Sequence, residues 1–87
     1  MTTSYRSLIS TDAVYNQLKK WISRAKELGN SELVLDANLI MPTVYSVTGK
    51  DDTDTKVVLR IDLGVTMKLK GLGYDYVYHE GKLKIVW

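Results

Sequence analysis

The sequence predicts an α+β fold in which an N-terminal amphipathic helix packs on a mostly antiparallel sheet of about five strands. Apolar residues first recur with a helical period over 11–28, and later segments alternate with the period of strands. The chain closes with two alternating runs that face each other across Glu80-Gly81, which indicates a β-hairpin. The 87 residues, 45% of them hydrophobic, fit one domain over 1–87.

Composition narrows the classes of function. Twelve basic and ten acidic residues leave a formal charge of +2, weaker than the clustered basic excess typical of nucleic-acid-binding domains. The absence of cysteine excludes disulfides, thiol nucleophiles and cysteine-ligated zinc, and it suits a cytoplasmic protein. No segment approaches the ~20 apolar residues of a membrane span, so no membrane partner is expected.

The first element follows a polar segment, 1–7, that we expect to be disordered. A helix over 11–28 is predicted, with Ser10 as its N-cap and Gly29 after its end. Its apolar stripe comprises Val14, Leu18, Trp21, Ile22, Ala25 and Leu28. Its outer face comprises Asn16, Gln17, Lys19, Lys20, Ser23, Arg24, Lys26 and Glu27, and such charged faces are usually solvated.

The middle of the chain is rich in strand-forming residues. A short strand is predicted over 31–36, with a turn at 36–38 because Asp and Asn side chains satisfy turn backbone locally. Residues 39–41 precede Pro42, so they indicate a strand start or an edge. A β-hairpin is predicted over 43–61, with the polar segment 49–55 as a flexible tip.

Residues 62–72 fit either a strand or a short helix. Val65, Leu69 and Leu72 recur at helical spacing and Gly73 is a natural stop, although two internal glycines oppose a helix. A second short helix at 64–72 is therefore preferred.

The closing hairpin fixes a register. A two-residue turn pairs His79 with Lys82, and the alternation then places six apolar or aromatic residues on one face: Tyr74, Tyr76, Tyr78, Leu83, Ile85 and Trp87. This face is expected to lie against the helix stripe. If it does, Tyr76→Ala should destabilise the protein by about 3 kcal/mol.

Motifs for catalysis and cofactors are weak or absent. His79 lies beside a tight turn without an evident nucleophile, so an exposed histidine is the favoured interpretation. An EF-hand loop starting at Asp52 fails because Lys56 and Val57 occupy a ligand position and the glycine position. The spacings of a P-loop and of a dinucleotide-binding fingerprint are also absent. We therefore expect no catalytic residue, no metal and no cofactor.

Four segments share a pattern with small proteins of tailed bacteriophages. These are Ala25 to Gly29 (A-x-x-x-G), the strand Glu32 to Asp36, Leu69 to Tyr74 (L-x-x-x-G-Y) and the final Ile85-Val86-Trp87. The chain resembles the phage proteins over about half its length, and its 39–61 segment departs from their pattern as an insertion. The resemblance implies a phage accessory protein that binds a host protein in the host cytoplasm, and it favours a helix before Gly73-Tyr74.

Three hypotheses of function follow. The first is a non-enzymatic protein-binding domain whose contacts come from the helix face and the hairpin tip, with candidate residues Lys20, Arg24, Glu27, Lys50, Asp51, Asp52 and Asp54. The second is a nucleic-acid-binding module that uses Lys19, Lys20, Arg24 and Lys26. The third is a small virion structural subunit. Val58 and Val86, on the sheet face away from the helix, are candidates for pairing two copies into a homodimer.

Overall fold

Two helices and six strands make up the fold. The structure, a computed structural model, describes residues 5–87. In chain order the elements are β1 (Tyr5–Leu8), α1 (Thr11–Glu27), β2 (Glu32–Met41), β3 (Val44–Lys50), β4 (Lys56–Ile61), α2 (Leu63–Gly71), β5 (Asp75–His79) and β6 (Lys82–Val86). The strands form one sheet in the order β1-β4-β3-β2-β6-β5, and β1 with β4 is its parallel pair. The α+β class is confirmed, with six strands in place of about five.

Helix α1 begins and ends close to the predicted positions. The Ser10 hydroxyl accepts a hydrogen bond from the Ala13 N–H, as an N-cap does, and Gly29 has the positive φ of 82° that follows many helix ends. The stripe stops one turn earlier than predicted, because Leu28 is the C-cap residue and is 73% exposed. The five preceding stripe residues are buried as expected.

Strand β1 corrects the prediction of a disordered N-terminal segment. Residues 5–8 pair with β4, placing Leu8 beside Leu59, and Leu8 packs against the core. The pairing partner lies some fifty residues away along the chain, so the local polar composition of the segment gave no sign of it. Residues 1–4 lie outside the described part of the chain.

Strand β2 corrects the prediction of a turn at 36–38. Its first half pairs with β6 and its second half with β3, so the backbone stays extended where the two pairings meet. Ala37 is buried there, and its N–H donates to the Gly81 carbonyl at 2.9 Å. These tertiary hydrogen bonds override the local turn preference of Asp36 and Asn38. The chain turns instead at 42–43, between β2 and β3.

Helix α2 resolves the ambiguity at 62–72 in favour of a helix. It spans Leu63–Gly71, within one residue of the prediction. The Asp62 carboxylate accepts a hydrogen bond from the Val65 N–H at 3.1 Å, an N-cap that compensates for the helix-weakening glycines.

The closing hairpin has the predicted register. His79 pairs with Lys82, Tyr78 with Leu83 and Tyr76 with Ile85. Both turn residues have positive φ, 46° at Glu80 and 79° at Gly81, which is the conformation of a type I′ turn.

The core lies between one face of the sheet and the two helices. Helix α1 lies on β2 and β4, and α2 lies on β4 and β5, so the two helices share the cover of the sheet. A single cluster joins buried residues of both helices to β2, β3, β4 and β6. Within residues 5–87, neither helix covers the other face, which is called the open face below and which exposes Val34 and Val77.

The three tyrosines of the closing hairpin, Tyr74, Tyr76 and Tyr78, are less deeply buried than predicted. The expected effect of Tyr76→Ala on stability is therefore smaller. Tyr76 is half-buried and packs against the core, with its ring centroid 6.5 Å from that of Tyr45. We expect a loss of about 2 kcal/mol in the free energy of unfolding, below the 3–5 kcal/mol typical of fully buried aromatic residues. Urea denaturation measures it, with Val77→Ala on the open face as the control. A loss under 0.5 kcal/mol would place the ring on the surface.

Candidate functional site

The helix face and the hairpin tip meet in one cleft. The cleft has a volume of about 720 Å³ and lies between α1, β1 and the loop that joins β3 to β4. We call it the α1–tip cleft. Its lining residues are Arg6 from β1, Gln17, Lys19, Lys20, Trp21, Ser23, Arg24 and Glu27 from α1, and Asp51, Asp52 and Thr53 from the loop.

Asp51 organises the loop. Its Oδ1 accepts hydrogen bonds from the Thr53 N–H at 2.9 Å, the Thr53 hydroxyl at 2.7 Å and the Thr55 N–H at 3.0 Å. The Asp51 N–H also donates to the Thr55 carbonyl at 3.0 Å, which closes the loop at its base. A segment that looked flexible in the sequence thus has a defined internal structure, built by side-chain hydrogen bonds that Asp characteristically makes in turns.

The hydrogen bonds shift the titration of Asp51. The Thr53 hydroxyl contributes most to holding the pKa of Asp51 below its ordinary value. The Thr55 and Thr53 N–H groups and the Arg6 guanidinium act in the same direction, whereas partial burial opposes them. The folded loop therefore prefers the ionised carboxylate.

Asp51→Asn is expected to lower the urea midpoint at pH 7, because it removes a charge that these donors stabilise. The folded pKa is depressed, so the ionised carboxylate contributes stability above the unfolded pKa of about 4 and loses it as pH falls toward the folded pKa. The difference in urea midpoint between wild type and Asp51→Asn should therefore shrink below about pH 4. Asp54→Asn, whose side chain is exposed, is the control. A gap that is the same at pH 7 and pH 3 would contradict the assignment.

Two ion pairs join the loop to its neighbours across the cleft. Arg6 Nη1 lies 3.4 Å from Asp51 Oδ2, and Arg24 Nη1 lies 2.9 Å from Asp52 Oδ1. Most of these side chains are exposed, and exposed ion pairs contribute roughly 0–1 kcal/mol. These ion pairs orient the charged side chains of the cleft. Because each pair contributes little free energy, the charged groups of a partner protein can replace it.

Trp21 separates the α1–tip cleft from a second depression. Its Nε1–H donates to the Lys50 carbonyl at 3.1 Å, and its ring packs closely against Gly49, where a Cβ would come within 2.8 Å of the ring. The second depression is a hollow of about 250 Å³, which Trp21 also lines, together with apolar groups that include Ala25, Leu28, Leu33 and Leu35. We call this the apolar hollow. A polar cleft and an apolar hollow are therefore adjacent.

The structure brings together most of the residues predicted to form a protein-binding site. Lys20, Arg24, Glu27, Asp51 and Asp52 all line the α1–tip cleft. The two remaining candidates lie outside it. Lys50 contributes to the apolar hollow, and its Nζ lies 3.6 Å from Asp54 Oδ1.

The predicted nucleic-acid-binding set is divided. Lys19, Lys20 and Arg24 line the cleft. Lys26 lies apart from them, because its Nζ donates to the Tyr74 hydroxyl at 3.0 Å and lies 5.7 Å from the centre of the Trp87 ring. Arg24 is already paired with a carboxylate, so the set does not form a continuous basic surface.

Five residues that line the cleft were not among the named candidates: Arg6, Gln17, Trp21, Ser23 and Thr53. Gln17 was assigned to the solvated face of the helix but is 7% exposed, which corrects that assignment. Its position three residues after Val14 and four before Trp21 places it beside the apolar stripe, a signal that could have identified it. Trp21 was expected only in the core. Arg6 came from a segment expected to be disordered, and nothing in the sequence indicated its role.

The groups that the sequence analysis considered for catalysis or metal binding, and did not favour, have the following geometry. The His79 side chain is 81% exposed, and its Nε2 lies 3.8 Å from Glu80 Oε1. Among residues 5–87, no group of three or more His, Cys, Asp or Glu side chains is placed to hold a metal ion. In the same part of the chain, neither helix has the length and apolar character needed to cross a bilayer.

The cleft can recognise a mixed-charge surface. It presents guanidinium and ammonium donors beside carboxylate acceptors, with the Gln17 amide at its wall and apolar side chains in the adjacent hollow. Such a combination of charged groups around an apolar area is typical of protein-binding surfaces. Comparison of the chain with protein-family models, with curated proteins and with solved structures gave no match.

Proposed function

We propose that this chain is a small non-enzymatic binding protein that engages a partner protein through the α1–tip cleft and the apolar hollow. The supporting observation is the meeting of three chain segments, β1, α1 and the β3–β4 loop, in one cleft oriented by the Arg6–Asp51 and Arg24–Asp52 ion pairs. Trp21 lies between the two depressions and is held by the Lys50 carbonyl, so it provides a rigid centre for the surface.

The balance of charge favours a protein over a nucleic acid as the partner. The cleft is lined by four cations and three carboxylates, and two of the cations are paired with carboxylates. A phosphate backbone would be repelled by the carboxylates, whereas a protein surface can offer both signs of charge. The nucleic-acid module remains the second hypothesis, based on Lys19 and Lys20.

The proposed setting rests on the resemblance to small phage proteins. An accessory protein of this kind would act in the host cytoplasm by binding a host protein and modulating it. The helix and closing-hairpin segments that carry the resemblance lie outside the hairpin formed by β3 and β4. The tip loop between those strands therefore gives this chain a contact surface that the shared pattern lacks.

Affinity capture from a bacterial host lysate with two matched variants tests the proposal. Lys20→Glu/Arg24→Glu reverses two charges in the cleft, and Lys56→Glu/Arg60→Glu makes the same change in charge on exposed residues of β4. A partner retained by wild type and by the β4 variant, but lost from the cleft variant, is the expected result. Equal loss from both variants would mean that net charge alone governs capture, and the proposal would be rejected.

A separate measurement distinguishes nucleic-acid binding from protein binding. Fluorescence anisotropy with a labelled single-stranded or duplex oligonucleotide, at 50 and 200 mM salt, should show no binding. Binding that weakens steeply with salt and disappears in Lys19→Glu/Lys20→Glu would instead assign the cleft to nucleic acid.

A further inference from the structure

Within residues 5–87, the outer edge of β5 carries backbone groups that no other strand pairs with. Strand β5 is at one end of the sheet and pairs with β6 alone among the strands of residues 5–87. Edge strands usually avoid further pairing by means of lysine, proline or a bulge. The five residues of β5, DYVYH, include neither lysine nor proline, and their pairing with β6 is regular.

The hairpin turn determines which backbone groups face outward. In a two-residue hairpin, the residues that flank the turn form a hydrogen-bonded pair, and such pairs alternate along the strands. His79 flanks the turn, so Asp75, Val77 and His79 direct their N–H and C=O groups toward β6. The N–H and C=O groups of Tyr76 and Tyr78 consequently point away from the sheet.

We propose that this edge pairs with β5 of a second copy of the chain, antiparallel and centred on Val77. This register places Tyr76 opposite Tyr78 of the other copy, so the outward N–H and C=O groups meet as two hydrogen-bonded pairs. Val77 then lies opposite Val77 across the two-fold axis, in the wider spacing between those pairs. A slip of one residue sets outward-facing groups opposite inward-facing ones, and a slip of two leaves a single outward pair within β5, so the register centred on Val77 makes the most hydrogen bonds.

The side chains of the edge are complementary in the same register. Asp75, Val77 and His79 lie on the open face, so two-fold pairing places Asp75 of each copy opposite His79 of the other. An imidazole N–H donates to a carboxylate whether or not the ring is charged. Val77, 57% exposed in one chain, becomes covered by its counterpart. The residues of β5, the direction of its outward backbone groups and its charges thus all favour β5 of a second copy as the strand that pairs with this edge.

The contact is small, which sets its strength. Pairing of two five-residue edge strands buries less surface than the ~1,200 Å² of standard interfaces. A weak dimer is therefore expected, with a Kd on the order of 0.1–1 mM. Sedimentation equilibrium should therefore show monomer at 10 µM and a growing dimer fraction up to 1 mM. In amide hydrogen exchange by NMR, the Tyr76 and Tyr78 N–H groups should exchange several-fold more slowly at the high concentration. A monomer throughout this range would overturn the proposal.

Matched variants locate the interface. Val77→Lys places two like charges opposite each other and should raise Kd about tenfold or more. Val34→Lys makes the same change at an exposed valine of β2, on the same face but away from the edge, and should leave Kd unchanged. A dimer weakened by Val34→Lys and not by Val77→Lys would mean pairing through the open face, contrary to the proposal.

A charge swap tests the register itself. Asp75→Lys and His79→Asp should each weaken the dimer, because each places like or unmatched charges opposite each other. The double variant Asp75→Lys/His79→Asp restores opposite signs across the axis and should recover most of the lost affinity. Failure of the double variant to recover affinity would overturn this register.

Discussion

Leu59→Ala is expected to lower the free energy of unfolding by about 3–4 kcal/mol. Leu59 lies in β4, between β1 and β3, and its side chain is fully buried in the core cluster that joins the sheet to both helices. Truncation removes three buried carbons and leaves a cavity that the neighbouring strands cannot close without breaking their pairing. A domain of this size has a total stability of about 5 kcal/mol, so the variant should be close to unfolding at room temperature.

Urea denaturation followed by circular dichroism measures the loss, with Val58→Ala as the matched control. Val58 is adjacent in the same strand but lies on the open face and is half-buried, so its truncation should cost about 1 kcal/mol or less. Similar losses from the two variants would mean that the two faces of β4 are equally buried, contrary to the structure.

The elements that the sequence predicts well are those determined by nearby residues. The helix α1 has its cap, its stripe and its stop within the twenty residues from Ser10 to Gly29, and the closing hairpin has its turn and both alternating runs within the last seventeen residues of the sequence. Local physics is sufficient in both cases, because every interaction that sets the boundaries lies within the segment.

The elements that the sequence misses depend on distant partners. Strand β1 is extended because β4 offers a free edge, and β2 continues through Asp36-Ala37-Asn38 because two different strands pair with its two halves. The local residue preferences predicted disorder for the segment that forms β1 and a turn at residues 36–38 of β2. Sheet pairing supplied hydrogen bonds that no window of neighbouring residues contains.

The candidate site was predictable in its parts but not in its assembly. A charged helix face and an acidic loop are visible in the sequence, and both contribute to the α1–tip cleft. Their meeting depends on the position of β3 and β4 beneath α1, and the Arg6–Asp51 pair joins residues that are 45 positions apart. Gln17, by contrast, lies beside the apolar stripe of α1, so the helical spacing alone could have indicated its buried position.

The proposed dimer and the proposed binding site are compatible in space. The cleft lies beside β1, at one edge of the sheet, whereas β5 forms the opposite edge. Pairing through β5 would therefore leave both clefts free at the far ends of a continuous twelve-stranded sheet. A partner with repeated sites would then bind two clefts together, and a weak single contact would gain from the effective concentration of the second.

Trp21→Ala is expected to lower the free energy of unfolding by about 3–5 kcal/mol. The Trp21 ring is 8% exposed and packs against Gly49, and its Nε1–H donates to the Lys50 carbonyl. Truncation removes this packing and merges the α1–tip cleft with the apolar hollow. Trp87→Ala is the control, because Trp87 is only half-buried at the end of the chain and should cost less. A loss under 1 kcal/mol for Trp21→Ala would contradict its place in the core.

Trp21→Phe is a milder change at the same position. It keeps an aromatic ring in the core but lacks the outer indole atoms that lie nearest Gly49, and it leaves the Lys50 carbonyl without its donor, so a loss of about 1–2 kcal/mol is expected. Because Lys50 directly precedes the Asp51 loop, the Thr53 and Thr55 N–H groups should exchange faster with solvent in Trp21→Phe than in wild type. Unchanged exchange would mean that Asp51 alone holds the loop. Faster exchange would mean that Trp21 links the shape of the cleft to the stability of the core, so that binding in the cleft and folding of the domain are coupled through one side chain.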